Sequence, residues 1–257
     1  MEKKGKILTI TSMKGGVGKT VCTMMLADIY ARYGKKVLVI DMDLYTGNLA
    51  FAYNVKFRNS FYNLCDDMAN NRLKNGISND YLYNVKENID LIPACKDPRQ
   101  ANKIDNRVIG KILDSLGYLY DVILIDTNHI LNVCNMIAFE YSYKIINICT
   151  NDSFDLQSTK SFVAICKNME VDNLVLLLNN SIDTRRSYFT NYDIKNITKK
   201  NVDYTIPSEL YLKNFDQLVM DGKISDLVGC LKNDAKRHFD SFGEHMINMI
   251  EDEGGKE

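Results

Sequence analysis

Lys14-Gly15-Gly16-Val17-Gly18-Lys19-Thr20 decides the reading of this chain. Before it runs Lys6 to Thr11, short, apolar and β-rich; after it, Thr20 to Tyr33 sets Met24, Ala27 and Tyr30 at helical spacing. Strand, glycine loop and helix in that order are the context a phosphate-binding loop needs. Glycines let the backbone curl so that successive N–H groups point at one set of phosphate oxygens. The helix N-terminus adds a partial positive charge there, and Lys19 adds a full one. Thr20 places a hydroxyl where a magnesium ion would sit.

Outward from the loop the same rhythm repeats. Gly34 stops the first helix, and Val37 to Ile40 is an apolar run of strand length closed by Asp41, as a parallel strand buried on both faces requires. Further strands are expected at Ile89 to Ile92, Val122 to Ile125, Lys144 to Cys149, Leu174 to Leu178 and Val202 to Ile206, with helix-forming stretches between them. The alternation predicts an α/β fold: a doubly wound, mostly parallel sheet with helices on both faces. Asn-rich stretches, Asn70 to Asn84 and Asn179 to Asn191, read as longer surface connections. From about Asp226, the spacing of Ala235, Phe239, Phe242, Met246 and Ile250 predicts an amphipathic helix to about residue 250. The acidic tail Glu251 to Glu257 frays, and residues 1–257 form one domain.

Composition narrows the class. A chain of 257 residues, 46% hydrophobic and 25% charged, has enough apolar material for one substantial core. Its formal net charge of -1 gives no general attraction to nucleic acid, so any affinity for DNA must come from a local patch. The charged N-terminus and the short strand after it form neither a signal peptide nor a membrane span, which implies a cytoplasmic protein. Seven scattered cysteines with no C-x-x-C pair read as reduced thiols.

The pattern G-x-x-x-x-G-K-[ST] fails because Met13 holds its first glycine position, whereas K-G-G-x-G-K-T is complete. The latter resembles the deviant Walker A motif of the ParA/MinD ATPases, P-loop NTPases of the SIMIBI type, and the resemblance runs from Lys6 to about Leu227. It implies Mg-ATP held by Gly15, Gly16, Val17, Gly18, Lys19, Thr20 and Val21, the last standing where relatives often have a second threonine. It also implies that Lys14 reaches the partner's nucleotide across an ATP-dependent homodimer. Asp41 ends the second strand and Asp43 follows two residues later, at the ligand crevice of an open α/β sheet; by resemblance Asp41 lies near the metal and Asp43 orients the attacking water. Tyr120 to Asp126 has the form of a Walker B strand, and the resemblance places Asp126 in the metal's outer shell. Relatives continue Asp-Thr-Pro-Pro, whereas here Thr127-Asn128-His129 follows, so a slow or differently moving second switch is expected. His129 lacks an obvious orienting carboxylate and reads as a surface switch residue rather than a base.

The resemblance puts an asparagine amide beside the adenine, and Asn179 is the candidate. A GTPase would carry Asn-Lys-x-Asp, and Asn180-Ser181-Ile182-Asp183 lacks the lysine. Within the family, Thr46-Gly47-Asn48-Leu49, Leu91-Ile92-Pro93-Ala94 and Leu177-Leu178-Asn179 are most similar to the TadZ/CpaE pilus-assembly branch. That branch implies a polar-localisation or pilus and secretion partner, with the chain recruited to a pole or membrane complex. A DNA-partition ATPase is the second reading and would use Arg185, Arg186, Lys195, Lys199 and Lys200, a run that more simply forms a solvated helix face. A membrane-cycling protein of MinD type is the third, disfavoured by the acidic C-terminus. Cys95 and Cys134 fall near the cluster ligands of nitrogenase iron proteins but lack the glycine surroundings, and read as incidental thiols. No tyrosine lies beyond Tyr211, as a bacterial tyrosine kinase would require.

Overall fold

The apolar runs assemble edge to edge because each is too short for a core helix and too apolar to leave either face in water. The computed structural model describes residues 4–74, 76–182, 188–224 and 227–251. In chain order the strands are β1 (Lys6–Thr11), β2 (Val37–Met42), β3 (Tyr83–Lys86), β4 (Ile89–Ile92), β5 (Val122–Thr127), β6 (Lys144–Cys149), β7 (Leu174–Asn179) and β8 (Tyr204–Ile206). They form one sheet in the order β3-β4-β2-β5-β1-β6-β7-β8. Every neighbouring pair is parallel except β3 and β4.

Among the described residues are nine helices of α type, the last two after β8: α1 (Lys19–Arg32), α2 (Leu49–Ala52), α3 (Phe61–Ala69), α4 (Ile109–Gly117), α5 (Val133–Glu140), α6 (Ser153–Asn168), α7 (Asn191–Thr198), α8 (Phe215–Met220) and α9 (Asn233–Glu251). Strand alternation divides them. Leu8, Ile10, Val37, Val39, Val122 and Leu124 meet α1 and α9 on one side. Ile7, Leu38, Ile40, Ile123 and Ile125 meet α3, α4 and α5 on the other, while α6 and α7 continue that layer over Ile145 and Cys149. The sheet is thus doubly wound, as the sequence predicts.

The expected strands are all present, and β2, β5 and β7 run on to include Asp41, Asp126 and Asn179. The edge strand β3 was not anticipated. It lies in an Asn-rich stretch, is nowhere fully buried, and so carries no apolar alternation. Part of the other Asn-rich connection, Asp183 to Ser187, lies outside the described residues, as do Ser225, Asp226 and the tail from 252. The last helix begins at Asn233, with turns from 227 to 230 before it. Ala235, Phe239, Phe242, Met246 and Ile250 are buried along α9. Tyr30 in α1 donates its hydroxyl to the Met246 carbonyl at 3.3 Å, and the Arg32 guanidinium lies over the Phe239 ring. All seven cysteines are free thiols, and among the described residues no helix is long and apolar enough to cross a membrane.

Phe239 is 1% exposed where α9 closes the core. Phe239→Ala should therefore cost about 3–5 kcal/mol, read as a lower urea midpoint with an unchanged slope. A loss below about 1 kcal/mol would show that α9 is not part of the cooperative core.

Candidate functional site

The chain leaves β1 at Ser12 and curls through the glycines before entering α1. Gly16 (φ 77°) and Gly18 (φ 91°) both adopt the left-handed region. A Cβ on Gly18 would also come within 2.7 Å of Asn179 Nδ2, so this position demands glycine twice over. Fully buried Ser12 accepts a hydrogen bond from Lys19 Nζ at 3.0 Å and donates to the Lys14 carbonyl at 2.8 Å. One hydroxyl thereby fixes both the lysine head and the loop's first turn. Val21 packs its side chain against the main core.

Asn179 stands at the end of β7, where its amide bonds to the protein itself. Its Nδ2 donates to the Val17 carbonyl at 2.9 Å with Cys22 Sγ at 3.9 Å, and its Oδ1 accepts from the Ser181 amide and hydroxyl at 3.0 and 2.7 Å. Asn179 thus braces the phosphate loop from the end of β7. Buried 97% of the way behind Gly18, its side chain turns toward the loop because that is where a backbone carbonyl needs a donor.

Register brings the carboxylates together. Asp126 on β5 pairs directly with Asp41 on β2, and Ile10 of β1 flanks it on the other side. Asp126 accepts hydrogen bonds from Thr20 (2.8 Å) and Thr23 (3.3 Å), one turn apart on α1. Burial pushes its pKa up to about 7, against the Thr20 bond and the nearby Lys19 charge. Burial, then the neighbouring Asp126, also holds Asp41 well above the usual carboxylate range, although the backbone amides of Leu49 (3.1 Å) and Asp43 (3.2 Å) partly offset this. Lys19 is lowered by burial, opposed by Asp126, Asp43 and Asp155. Half-buried Asp43 accepts from the Thr46 hydroxyl at 2.8 Å and amide at 3.3 Å. The next residue crosses so close over Asp41 that a Cβ on Gly47 would meet Ala94 Cβ at 2.2 Å and Asp41 Oδ2 at 2.7 Å. That contact joins the two stretches the sequence singles out, Thr46 to Leu49 and Leu91 to Ala94.

On the other flank Lys14 Nζ forms an ion pair with Asp152 at 2.8 Å, and Asp152 also caps α6 by accepting from the Asp155 amide at 3.0 Å. The segment after Asp126 is tied down by side-chain hydrogen bonds. Asn128 Oδ1 accepts from the Ile130 amide and from Asn135 Nδ2, both at 3.0 Å, while Asn135 Nδ2 donates to the Ile130 carbonyl at 2.7 Å. Sequence reasoning passed over Ser12, Thr23, Asp152 and Asn135. Thr23 was legible from its three-residue spacing after Thr20, which sets both hydroxyls on one helix face.

Other sequence candidates do not gather. Cys95 and Cys134 lie close enough to influence one another, but burial raises both thiols, Cys95 to about 11, which disfavours the thiolates a cluster needs. Of the basic run, Lys195 and Lys199 are exposed, Lys200 pairs with Asp203 at 3.1 Å, and Arg185 and Arg186 lie outside the described residues. The chemistry concentrated at the strand ends is an amide-lined loop, two lysines, and oxygen donors from Thr20, Asp41 and Asp126. Among the described residues no three His, Cys, Asp or Glu side chains form a complete cation cage. Such a set suits magnesium, which binds through one or two carboxylates plus substrate phosphates rather than a full protein cage.

A family model described as an AAA domain matches residues 5–184. An ATP-binding protein of uncharacterized function from Methanocaldococcus jannaschii is 28% identical over 151 residues, 58% of this chain and 55% of that protein. The chain spans about half the length of the curated relatives it matches. Among solved structures, a ParA family ATPase from Chlorobium tepidum superposes with a TM-score of 0.82 at 17% identity, covering 95% of this chain and 99% of the other. The septum site-determining protein MinD of Pyrococcus horikoshii, complexed with Mg-ADP, gives 0.75 at 21% identity, covering 98% and 100%. At such identities the likeness is one of fold.

The raised Asp126 makes a pH prediction for the metal-free protein. The unfolded chain releases this proton near 3.8 and the folded chain near 7, so this group's contribution is greatest below the lower value and declines as pH rises to about 7. Asp126→Asn should remove that decline and leave the variant more thermostable than wild type at about pH 8. Parallel melting-temperature profiles for the two proteins would show that Asp126 titrates normally.

Proposed function

Because the chain belongs to the AAA_31 family of AAA domains, within the ParA/MinD superfamily of P-loop ATPases, we propose that it is a magnesium-dependent, ATP-binding and ATP-hydrolysing dimerisation switch. The observation that carries this reading is the Thr20–Asp126 hydrogen bond at the mouth of a glycine loop whose half-buried lysine lies near carboxylates. It joins, in one place, donors for phosphate and acceptors for a cation.

In this reading the amides from Gly15 to Thr20 cradle the phosphates, and Lys19 leaves Ser12 to meet the β- and γ-phosphate oxygens. Thr20, Asp41 and Asp126 hold magnesium directly or through water. When bound, the ion neutralises charge on the phosphate oxygens. Asp43, half-buried and steadied by Thr46, orients the attacking water. Lys14 sits 42% exposed on a surface ion pair, a weak attachment from which it can turn to a partner's nucleotide. Self-association then depends on nucleotide content, and the lifetime of the triphosphate state sets how long partners stay engaged.

The working output we infer is position and recruitment, of a pilus or secretion apparatus in the manner of the TadZ/CpaE branch. The packing of Gly47 against Asp41 and Ala94 supports that branch, since it makes one structural unit of the two stretches that resemble it.

Lys19→Ala removes the only charge that the loop places inside the pocket and should abolish ATP binding; unchanged affinity by calorimetry would refute the loop assignment. Lys14→Ala should leave nucleotide affinity near wild type yet weaken ATP-dependent dimerisation at least tenfold, roughly the value of one charge-assisted contact. A dimer of undiminished affinity in sedimentation would remove Lys14 from the interface.

A further inference from the structure

We propose that the layer between β6 and α6 holds internal water that bridges Asn147 to the buried carboxylate of Asp155 and the buried hydroxyl of Thr159. Asn147 is fully buried in the middle of β6, and neither polar atom of its amide has a hydrogen-bond partner in the protein. Strand alternation turns it toward α6, since its neighbours Ile146 and Ile148 join the core beneath α1 and α9. Along the α6 face, Cys149 and Leu156 belong to one buried cluster and Ile145 and Phe162 to another. Strand and helix therefore run in opposite directions, and Asn147 lies opposite Thr159. Thr159 is smaller than Leu156 and Phe162, its companions along that face, which leaves space beside the amide.

The helix supplies two more unpaired groups. Asp155 and Thr159 are four residues apart on the inner face of α6, both are fully buried, and Asp155 Oδ1 and Thr159 Oγ1 have no partner. Ser158 and Ser161 on the same helix donate their hydroxyls to the carbonyls four residues earlier, at 2.9 and 3.3 Å, whereas Thr159 makes no such bond. Helical side chains lean toward the N-terminus, which carries this hydroxyl toward Asp155. Asp155 Oδ2 is already engaged, accepting from the Thr150 amide and hydroxyl at 2.7 Å each, so Oδ1 is the oxygen left for the interior.

Four unpaired polar atoms at this depth would offset much of a domain's stability, and the set calls for a guest. Asn147 Oδ1 and Asp155 Oδ1 accept, while Asn147 Nδ2 and the Thr159 hydroxyl donate. Water serves both kinds, donating to the first pair and accepting from the second. A monovalent cation meets oxygen alone and would leave Nδ2 unpaired wherever it sat. The water so placed ties the middle of the sheet to the first turns of α6. That helix is capped by Asp152, the partner of Lys14, so the bridge helps to hold one flank of the candidate site in place.

The experiment is a crystal structure of the full chain, grown in a rubidium salt and resolved well enough to show ordered solvent, together with the melting temperature of Thr159→Val. The expected density is a water peak within about 3.2 Å of Asn147 and of Asp155 or Thr159, with no anomalous signal from rubidium. A rubidium peak at that place overturns the proposal, and so do direct bonds that pair the four atoms among themselves or a site without density. Valine keeps the shape of threonine and drops the hydroxyl, so the sign of its effect is a second readout. A hydroxyl bonded to water is lost with a bond, and Thr159→Val should melt about 2–4 °C below wild type. A hydroxyl with no partner is removed at a gain, so an unchanged or higher melting temperature overturns the bridge.

Discussion

Much of this molecule is arranged around one carboxylate that the fold places where water cannot reach it. Asp126 is 2% exposed at the centre of the sheet, and burying an ionised carboxyl group costs several kcal/mol unless donors meet it. The donors come from a single helix: Thr20 and Thr23 face the carboxylate together, which fixes both the rotation of α1 about its axis and its height above β5. Fixing α1 fixes its first turn, and the loop that precedes it must then cover a short distance with backbone angles that only glycine takes without strain at Gly16 and Gly18. Asn179 and Ser12 complete the frame by occupying the loop's inward-facing carbonyls, those of Val17 and Lys14.

The two segments flanking this frame are built differently. Neither Asp43 to Asn48 nor Asn128 to Asn132 contributes a large buried side chain beyond Leu44, and each is held by short side-chain-to-backbone bonds instead. With so few buried apolar contacts of their own, these segments belong to the low-stability end of the molecule, from which functional motion is drawn. Asparagines at 128 and 135 restrict this segment through side-chain hydrogen bonds.

The sheet was legible in sequence because its strands are continuous apolar runs whose composition cannot serve another purpose, and because each central run ends in a polar residue at the crevice. The loop was legible because seven consecutive residues leave few conformations open. What stayed hidden was either polar or distant in sequence. Strand β3 is half-exposed and Asn-containing, so no periodicity announces it. Asn179 stands at the strand end where sequence puts it, but its bond to the Val17 carbonyl is not readable there, because sequence shows the strand and not the direction of the side chain. Ser12 and Asp152 are separated by more than a hundred residues, and only the crossing of β1 beside β6 brings the loop they both serve next to the start of α6.

Charge gives the last step. At the strand ends, burial moves every ionisable group it encloses toward neutrality: Lys19 is lowered, Asp126 and Asp41 are raised. A phosphate alone would favour the charged lysine and oppose the carboxylates; a cation alone would do the reverse. A magnesium triphosphate brings both signs at once and lets all three groups ionise together, so the two components should bind with strong mutual dependence. The same coupling explains why the site tolerates so unfavourable a resting arrangement. The electrostatic cost of burying Asp126 beside Asp41 in the free protein is one that a ligand bringing both signs would relieve.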